Sequence, residues 1–273
     1  ALEIAKSSDV IIAAMGETAE FSGESASRTN LDIPDVQKTL LMELMKLGKP
    51  VVLVLFAGRP LTLNWEQANV PAILDVWFGG SEAGYSIPDV LFGDVNPSGK
   101  LTTTFPQNVG QIPIYYNHKN TGRPLPEGKW FQKFRSNYLD VSNDPLYPFG
   151  YGLSYSTFEY GKLKVSSDKL KGAQTLTASI EVKNTGKVDG KEIVQLYIRD
   201  MVGTLTRPVK ELKGFQKVMI KAGETKTIEF KITPEDLKFY NSDLKFDWES
   251  GDFQIMIGKN SQELHGTMIN WQK

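Results

Sequence analysis

Apolar positions along this chain follow two different periods. In the first hundred residues they form short continuous runs at Val10–Met15, Val51–Phe56 and Ala72–Phe78, with Leu101–Phe105 as a fourth. Runs of this length, rich in Val, Ile and Leu, read as buried strands. Helical stretches lie between them. Pro34 at a first helical position opens a helix with Val36, Leu40, Leu44 and Leu47 on one face, and Leu41 and Met45 beside them. Gly48 ends it. A second helix, Ser81–Phe92, follows Gly79-Gly80, and Ala1–Lys6 reads as the end of another. Strands alternating with helices predict a parallel sheet covered on both faces.

From Phe158 the period changes to two. Leu176, Ala178, Ile180 and Val182 alternate with polar residues, as do Val194, Leu196 and Ile198; Ile228, Phe230 and Ile232; and Phe253, Ile255 and Ile257. Turn residues punctuate them at Asn184-Thr185-Gly186, Asp189-Gly190, Ala222-Gly223 and Ser250-Gly251. This predicts an antiparallel β-sandwich of immunoglobulin or fibronectin type III kind. Trp248 and Phe246 alternate in a predicted strand and are assigned to its core.

The stretch between, 106–154, is irregular and rich in Pro, Gly, Asn and Tyr. Its rings, among them Tyr115, Tyr116, Trp130, Phe131, Phe134, Tyr138, Tyr147 and Phe149, predict packing that clamps two domains together, since flexible linkers lack aromatics. The expected fold class is α/β plus all-β. Residues 1–117 form part of an α/β sandwich, 118–155 an aromatic-rich linker and 156–273 a β-sandwich domain.

Composition narrows the chemistry. The 273 residues are 40% hydrophobic and 23% charged, with a net charge of -1, so bulk electrostatics point neither to nucleic acid nor to an acidic membrane. No apolar run is long enough to span a bilayer. The absence of cysteine excludes thiol catalysis, disulfides and thiolate zinc sites. With His118 and His265 the only histidines, a Ser-His-Asp system or a multi-histidine metal site is disfavoured. Neither metal nor cofactor is expected. The chain begins at Ala1, without a signal peptide, and enters in mid-domain, which suggests a piece of a longer polypeptide.

Several motifs read as structure. Asp94-Val95-Asn96-Pro97-Ser98-Gly99 starts like a calcium loop but has Phe105 where the bidentate Glu would stand; a capped turn fits better. Gly79-Gly80-Ser81 has no Lys and reads as a helix start, not an anion site. Gly150-Tyr151-Gly152 follows no strand, and His118 and Lys119 lie in a polar loop.

One loop carries more. Between the first strand and the Pro34 helix, Gly16–Arg28 holds three carboxylates, Glu17, Glu20 and Glu24, among small residues. A carboxyl group on a loop at the carboxyl end of a strand is well placed to give a proton to a leaving group.

The words Gly23-Glu24-Ser25…Arg28, Leu31-Asp32-Ile33-Pro34…Gln37, Gly58-Arg59-Pro60-Leu61, Asn96-Pro97-Ser98-Gly99-Lys100-Leu101, Gly110-Gln111-Ile112-Pro113 and Pro148-Phe149-Gly150-Tyr151-Gly152-Leu153-Ser154-Tyr155, in this order, resemble a family 3 glycoside hydrolase of the β-glucosidase type. The tail, with Arg207-Pro208-Val209-Lys210-Glu211-Leu212-Lys213-Gly214-Phe215, resembles that family's fibronectin type III-like domain. The resemblance implies an α/β sandwich carrying the general acid/base, matched here by Glu24, with Glu17 and Arg28 as supporting residues. It also implies an N-terminal barrel with a nucleophilic Asp, which this chain lacks, so the chain alone is expected to be inactive. The implied activity is that of a retaining, exo-acting β-glycosidase on terminal β-D-glucosyl residues of an oligosaccharide or glucoside, without cofactor, in a periplasmic or secreted parent protein. A β-xyloside is the alternative substrate, and a non-catalytic carbohydrate-binding or adhesion module the alternative class. The chain departs from the pattern at Ser27, where an Asp often precedes the Arg, and at Ile87-Pro88, where the proline predicts a kink.

Overall fold

A computed structural model describes residues 1–126 and 128–273. Its contacts divide the chain into two compact units. One comprises 1–94, 104–114 and 143–147, the other 95–103, 115–142 and 148–273.

The first unit is α/β. Helix α1 (Leu2–Lys6) precedes strand β1 (Ile11–Gly16), and α2 (Asp35–Met45) leads to β2 (Val51–Phe56). Helix α3 (Asn64–Asn69), strand β3 (Ala72–Asp75) and helix α4 (Ala83–Leu91) follow. The three strands pair in parallel in the order β1-β2-β3. Strand β2 is central, and Val51, Leu53, Val54 and Leu55 are almost completely buried. Burying each such side chain stabilises the fold by about 1.5–3 kcal/mol.

Three expectations need correction here. The sheet is not covered on both faces along β1, where Ile12 is 47% exposed; helix α4 buries no residue at all. The buried stripe of α2 runs through Leu41 and Leu44, while Val36 is exposed. The hydropathy pattern missed this because Gln37 takes a core-facing place. Its Oε1 accepts from the Gly16 N–H at 2.7 Å and its Nε2 donates to the Gly16 carbonyl at 3.0 Å. Leu101–Phe105 is no strand. The Leu101 N–H donates to the Tyr151 carbonyl, whereas Phe105 makes an isolated bridge with Tyr147, so its two ends answer to different neighbours.

The second unit contains the β-sandwich. Short strands β4 (Phe158–Tyr160), β5 (Lys164–Val165) and β6 (Lys169–Lys171) precede the long β7 (Leu176–Asn184), β8 (Gly190–Asp200), β9 (Glu211–Ile220) and β10 (Thr225–Ile232). Then come β11 (Phe239–Tyr240), β12 (Phe246–Asp247), β13 (Gly251–Gly258) and β14 (Leu264–Gln272). One sheet has the order β10-β7-β4, with β5 also on β7; the other has the order β6-β14-β13-β8-β9. All these pairings are antiparallel except β14 with β6.

Alternation puts Leu176, Ala178, Ile180 and Val182 of one sheet against Val194, Leu196, Phe253, Ile255 and Ile257 of the other in a single apolar core. Trp271, fully buried, packs edge-on to Trp248 at 6.1 Å and donates its indole N–H to the Gly172 carbonyl. Phe246, expected beside Trp248 in the core, is instead 55% exposed.

The Asn96 turn is capped as expected of a structural motif. Its Oδ1 accepts from the Ser154 hydroxyl and the Tyr155 N–H, and its Nδ2 donates to the Asp189 carbonyl. The irregular stretch packs less than its rings predict. Tyr116 stacks on Phe149 at 4.5 Å, but Trp130 and Phe134 are exposed. Polar backbone and basic neighbours such as Lys129, Lys133 and Arg135 keep that segment at the surface.

Candidate active site

The loops leaving the carboxyl ends of β1, β2 and β3 converge. A Cβ on Gly58, after β2, would lie 2.0 Å from Ser22 Oγ, after β1, and 2.8 Å from the ring of Phe78, after β3. Only glycine allows this approach. Open α/β sheets bind ligands at this edge.

The geometry begins at Gly16. Its φ is +135°, and a Cβ there would lie 1.8 Å from the Phe56 carbonyl oxygen. A side chain is therefore excluded, and the chain leaves β1 in a direction that turns Glu17 inward. The Glu17 side chain is fully buried. Arg28 Nη1 donates to Oε1 at 2.7 Å, and Oε2 accepts from the Gly58 N–H and from Arg59 Nε, each at 3.2 Å. Arg28 also donates to the Asp32 carbonyl and lies over the Phe21 ring. Arg59 Nη2 donates to the Phe21 carbonyl. One buried carboxylate thus ties the start of the loop to its end and, through Arg59, to its middle.

Glu24 stands outside this network. It is exposed at the loop tip, and among the described residues no hydrogen bond or ion pair reaches its carboxylate. Gly23 and Ser25 flank it with φ of +127° and +59°. A left-handed conformation costs a non-glycine residue such as Ser25 about 1–3 kcal/mol and is often kept where function requires it. The structure therefore brings Glu17 and Arg28 together and leaves Glu24 exposed, apart from them.

Sequence reasoning missed two contributors. Arg59 stands 42 residues from Glu17, and only its place in the Gly58-Arg59-Pro60 word could have suggested it. Asp75, at the end of β3, is the other. Burial pushes its carboxyl up to about 6, and the Trp77 N–H offsets this only in part. Trp77 itself has a φ of +46°. Among the described residues no group of three His, Cys, Asp or Glu side chains could hold a metal ion, and no helix is long and apolar enough to cross a membrane. The arrangement offers proton transfer from an exposed carboxyl on a tethered loop.

Comparison with known proteins gives two family matches. Residues 1–155 match the glycosyl hydrolase family 3 C-terminal domain, and residues 192–261 a fibronectin type III-like domain. The chain is 50% identical over 261 residues to a periplasmic beta-glucosidase of Salmonella typhimurium, covering 96% of this chain and 34% of that protein. It is 43% identical to a beta-xylosidase of Formosa agariphila, covering 96% of this chain and 35% of the relative. Among solved structures, a beta-glucosidase from Listeria innocua in complex with glucose superposes with a TM-score of 0.92 at 42% identity, over 98% of this chain and 37% of the other. The chain spans about a third of the length of these relatives.

Proposed function

We propose, because this chain belongs to glycosyl hydrolase family 3 through that family's C-terminal domain, that it is the part of a retaining, exo-acting β-glucosidase that supplies the general acid/base, Glu24. Retention needs two carboxyl groups about 5–5.5 Å apart. The second, a nucleophilic Asp, comes in this reading from a barrel elsewhere in the polypeptide. That carboxylate attacks the anomeric carbon, and the departing glycosidic oxygen takes the Glu24 proton. A water molecule then attacks the glycosyl-enzyme and loses its proton to Glu24, which restores both groups.

The observation that carries this reading is the contrast within one loop. Glu17 has both oxygens engaged by Arg28, Arg59 and Gly58 and is unsuited to donating a proton. Glu24, seven residues on, is exposed between two left-handed residues. Glu17 and Arg28 hold the loop so that the Glu24 tip keeps one geometry. A periplasmic setting follows from the Salmonella relative's name, and a β-xyloside is the second substrate reading because of the Formosa relative.

The test uses the full-length enzyme, with this chain alone as the inactive control. Glu24→Ala should slow glycosides with poor leaving groups by roughly 10²–10⁴-fold and activated aryl glycosides far less, with azide restoring turnover. Equal losses on both kinds of substrate, without azide rescue, would remove Glu24 from the role. The ratio of kcat/KM for aryl β-glucoside and β-xyloside decides the sugar.

A further inference from the structure

A half-open cavity of about 320 Å³ lies in the α/β unit, lined among others by Asn30, Asp32, Lys38, Asn64, Trp65 and Asn108. Behind Lys38 sits Glu66, completely buried on the first turn of α3. Neither Glu66 oxygen has a hydrogen-bond partner. Its counter-ion, Lys38 Nζ, is 3.8 Å away, too far for a hydrogen bond. Burial raises the Glu66 carboxyl above its ordinary range, Lys38 offsets this only partly, and the nearby Asp32 charge adds to it.

The lining leaves unused hydrogen-bonding groups of both kinds. Lys38 lines the cavity, and its Nζ makes no hydrogen bond among the described residues. Asn30 uses its Oδ1 to accept from the Asp32 N–H, and Asn108 uses its Oδ1 to accept from the Gly110 N–H. Each keeps its amide donors. Asp32 Oδ1 accepts from the Thr62 hydroxyl, which leaves Oδ2. Trp65, half-buried at the wall, adds an apolar ring and an indole N–H.

Charge selects among ligands. An anion would meet Asp32, with Glu66 behind the lining, and a cation would meet Lys38, in a partly desolvated place where like charges are costly. A neutral molecule with several hydroxyl groups can instead accept from the ammonium and amides, donate to the Asp32 carboxylate, and lay its C–H face on the indole. We infer that this cavity binds a neutral polyhydroxyl compound of monosaccharide size. The inference does not rest on the role of Glu24.

The experiment is titration of this chain with glucose and, separately, xylose, read on the Trp65 indole N–H by two-dimensional NMR, with the signal assigned through Trp65→Phe. A saturable shift is expected. Lys38→Met and Asn108→Ala should each weaken it about tenfold, as loss of a hydrogen bond to a charged or a well-placed donor does. Lys38 is the counter-ion of Glu66 and the Asn108 side chain accepts from the Gly110 N–H, so the remainder of each variant's spectrum checks its fold, and where that changes, the comparison of glucose with glucuronate on the wild-type chain decides. Glucuronate, similar in size but negatively charged, should bind more weakly than glucose. No saturable shift, a shift equal in Lys38→Met and wild type, tighter binding of glucuronate, or shifts confined to the Glu24 loop with Trp65 unmoved would each overturn the inference.

Discussion

The β-sandwich and the α/β unit keep their strands together by different means. In the sandwich, two sheets close on one apolar core in which Leu176, Ile180, Val182, Ile255, Ile257 and Trp271 are almost completely buried. In the α/β unit, β1 leaves Ile12 half exposed and α4 buries nothing. Beyond β2 that unit buries Ile33, Leu41, Leu61 and Leu63, and to this apolar core it adds a set of polar ties at the strand ends. Glu17 takes Arg28, Arg59 and Gly58, Gln37 takes both backbone groups of Gly16, and Asp32 takes Thr62. An apolar core is insensitive to direction, whereas hydrogen-bonded charges fix position. The polar ties of the α/β unit lie where its loops leave the strands.

The comparison can be tested first in the sandwich. Trp271→Ala removes the largest fully buried side chain and its bond to Gly172. It should cost about 3–5 kcal/mol, read as a lower urea midpoint of the sandwich transition. A loss below about 1 kcal/mol would mean that the core is not what holds the two sheets.

The next largest effect is expected at Glu17. Glu17→Ala leaves Arg28 and Arg59 partly buried without their shared anion. Breaking a buried pair from one side costs about 3 kcal/mol or more, discounted to about 2–3 here because both arginines keep some contact with water. Thermal unfolding should show an earlier α/β transition and an unmoved sandwich transition. If both moved together, the two regions would not be held independently.

The smallest effect has the opposite sign. The Asp75 carboxyl rises from 3.8 to about 6 on folding. The folded state therefore keeps a proton that the unfolded state releases from about pH 4 upward, and the resulting penalty is complete above pH 6. Asp75→Asn removes that penalty. It should stabilise the α/β unit by about 1–2 kcal/mol at pH 8 and by nothing at pH 4. A gain independent of pH would assign the effect to packing and not to charge.

Much of this was legible in the residues. Period-two alternation located β7, β8, β10 and β13, because each side of a sandwich strand meets a different medium. Continuous apolar runs located β1 and β2 for the complementary reason. Two of the failures share one cause, which is partners distant in sequence. Gln37 is polar and did not enter the apolar face read for its helix, yet Gly16, 21 residues before it, supplies both its bonds. Leu101–Phe105 looked like a strand, but its ends pair with Tyr151 and Tyr147. The Glu24 loop was recognised from its composition and from family resemblance. The burial of Glu17 was not, because it depends on Arg59 and on the missing side chain of Gly58.

The two compact units are interleaved along the chain. Residues 95–103 belong with the sandwich, 104–114 with the α/β unit, 115–142 with the sandwich again and 143–147 with the α/β unit. No single peptide bond therefore separates them. A gene cut within 95–147 leaves each product holding residues that group with the other. Recombination within this stretch is constrained in the same way, since a crossover there would have to exchange several short segments at once.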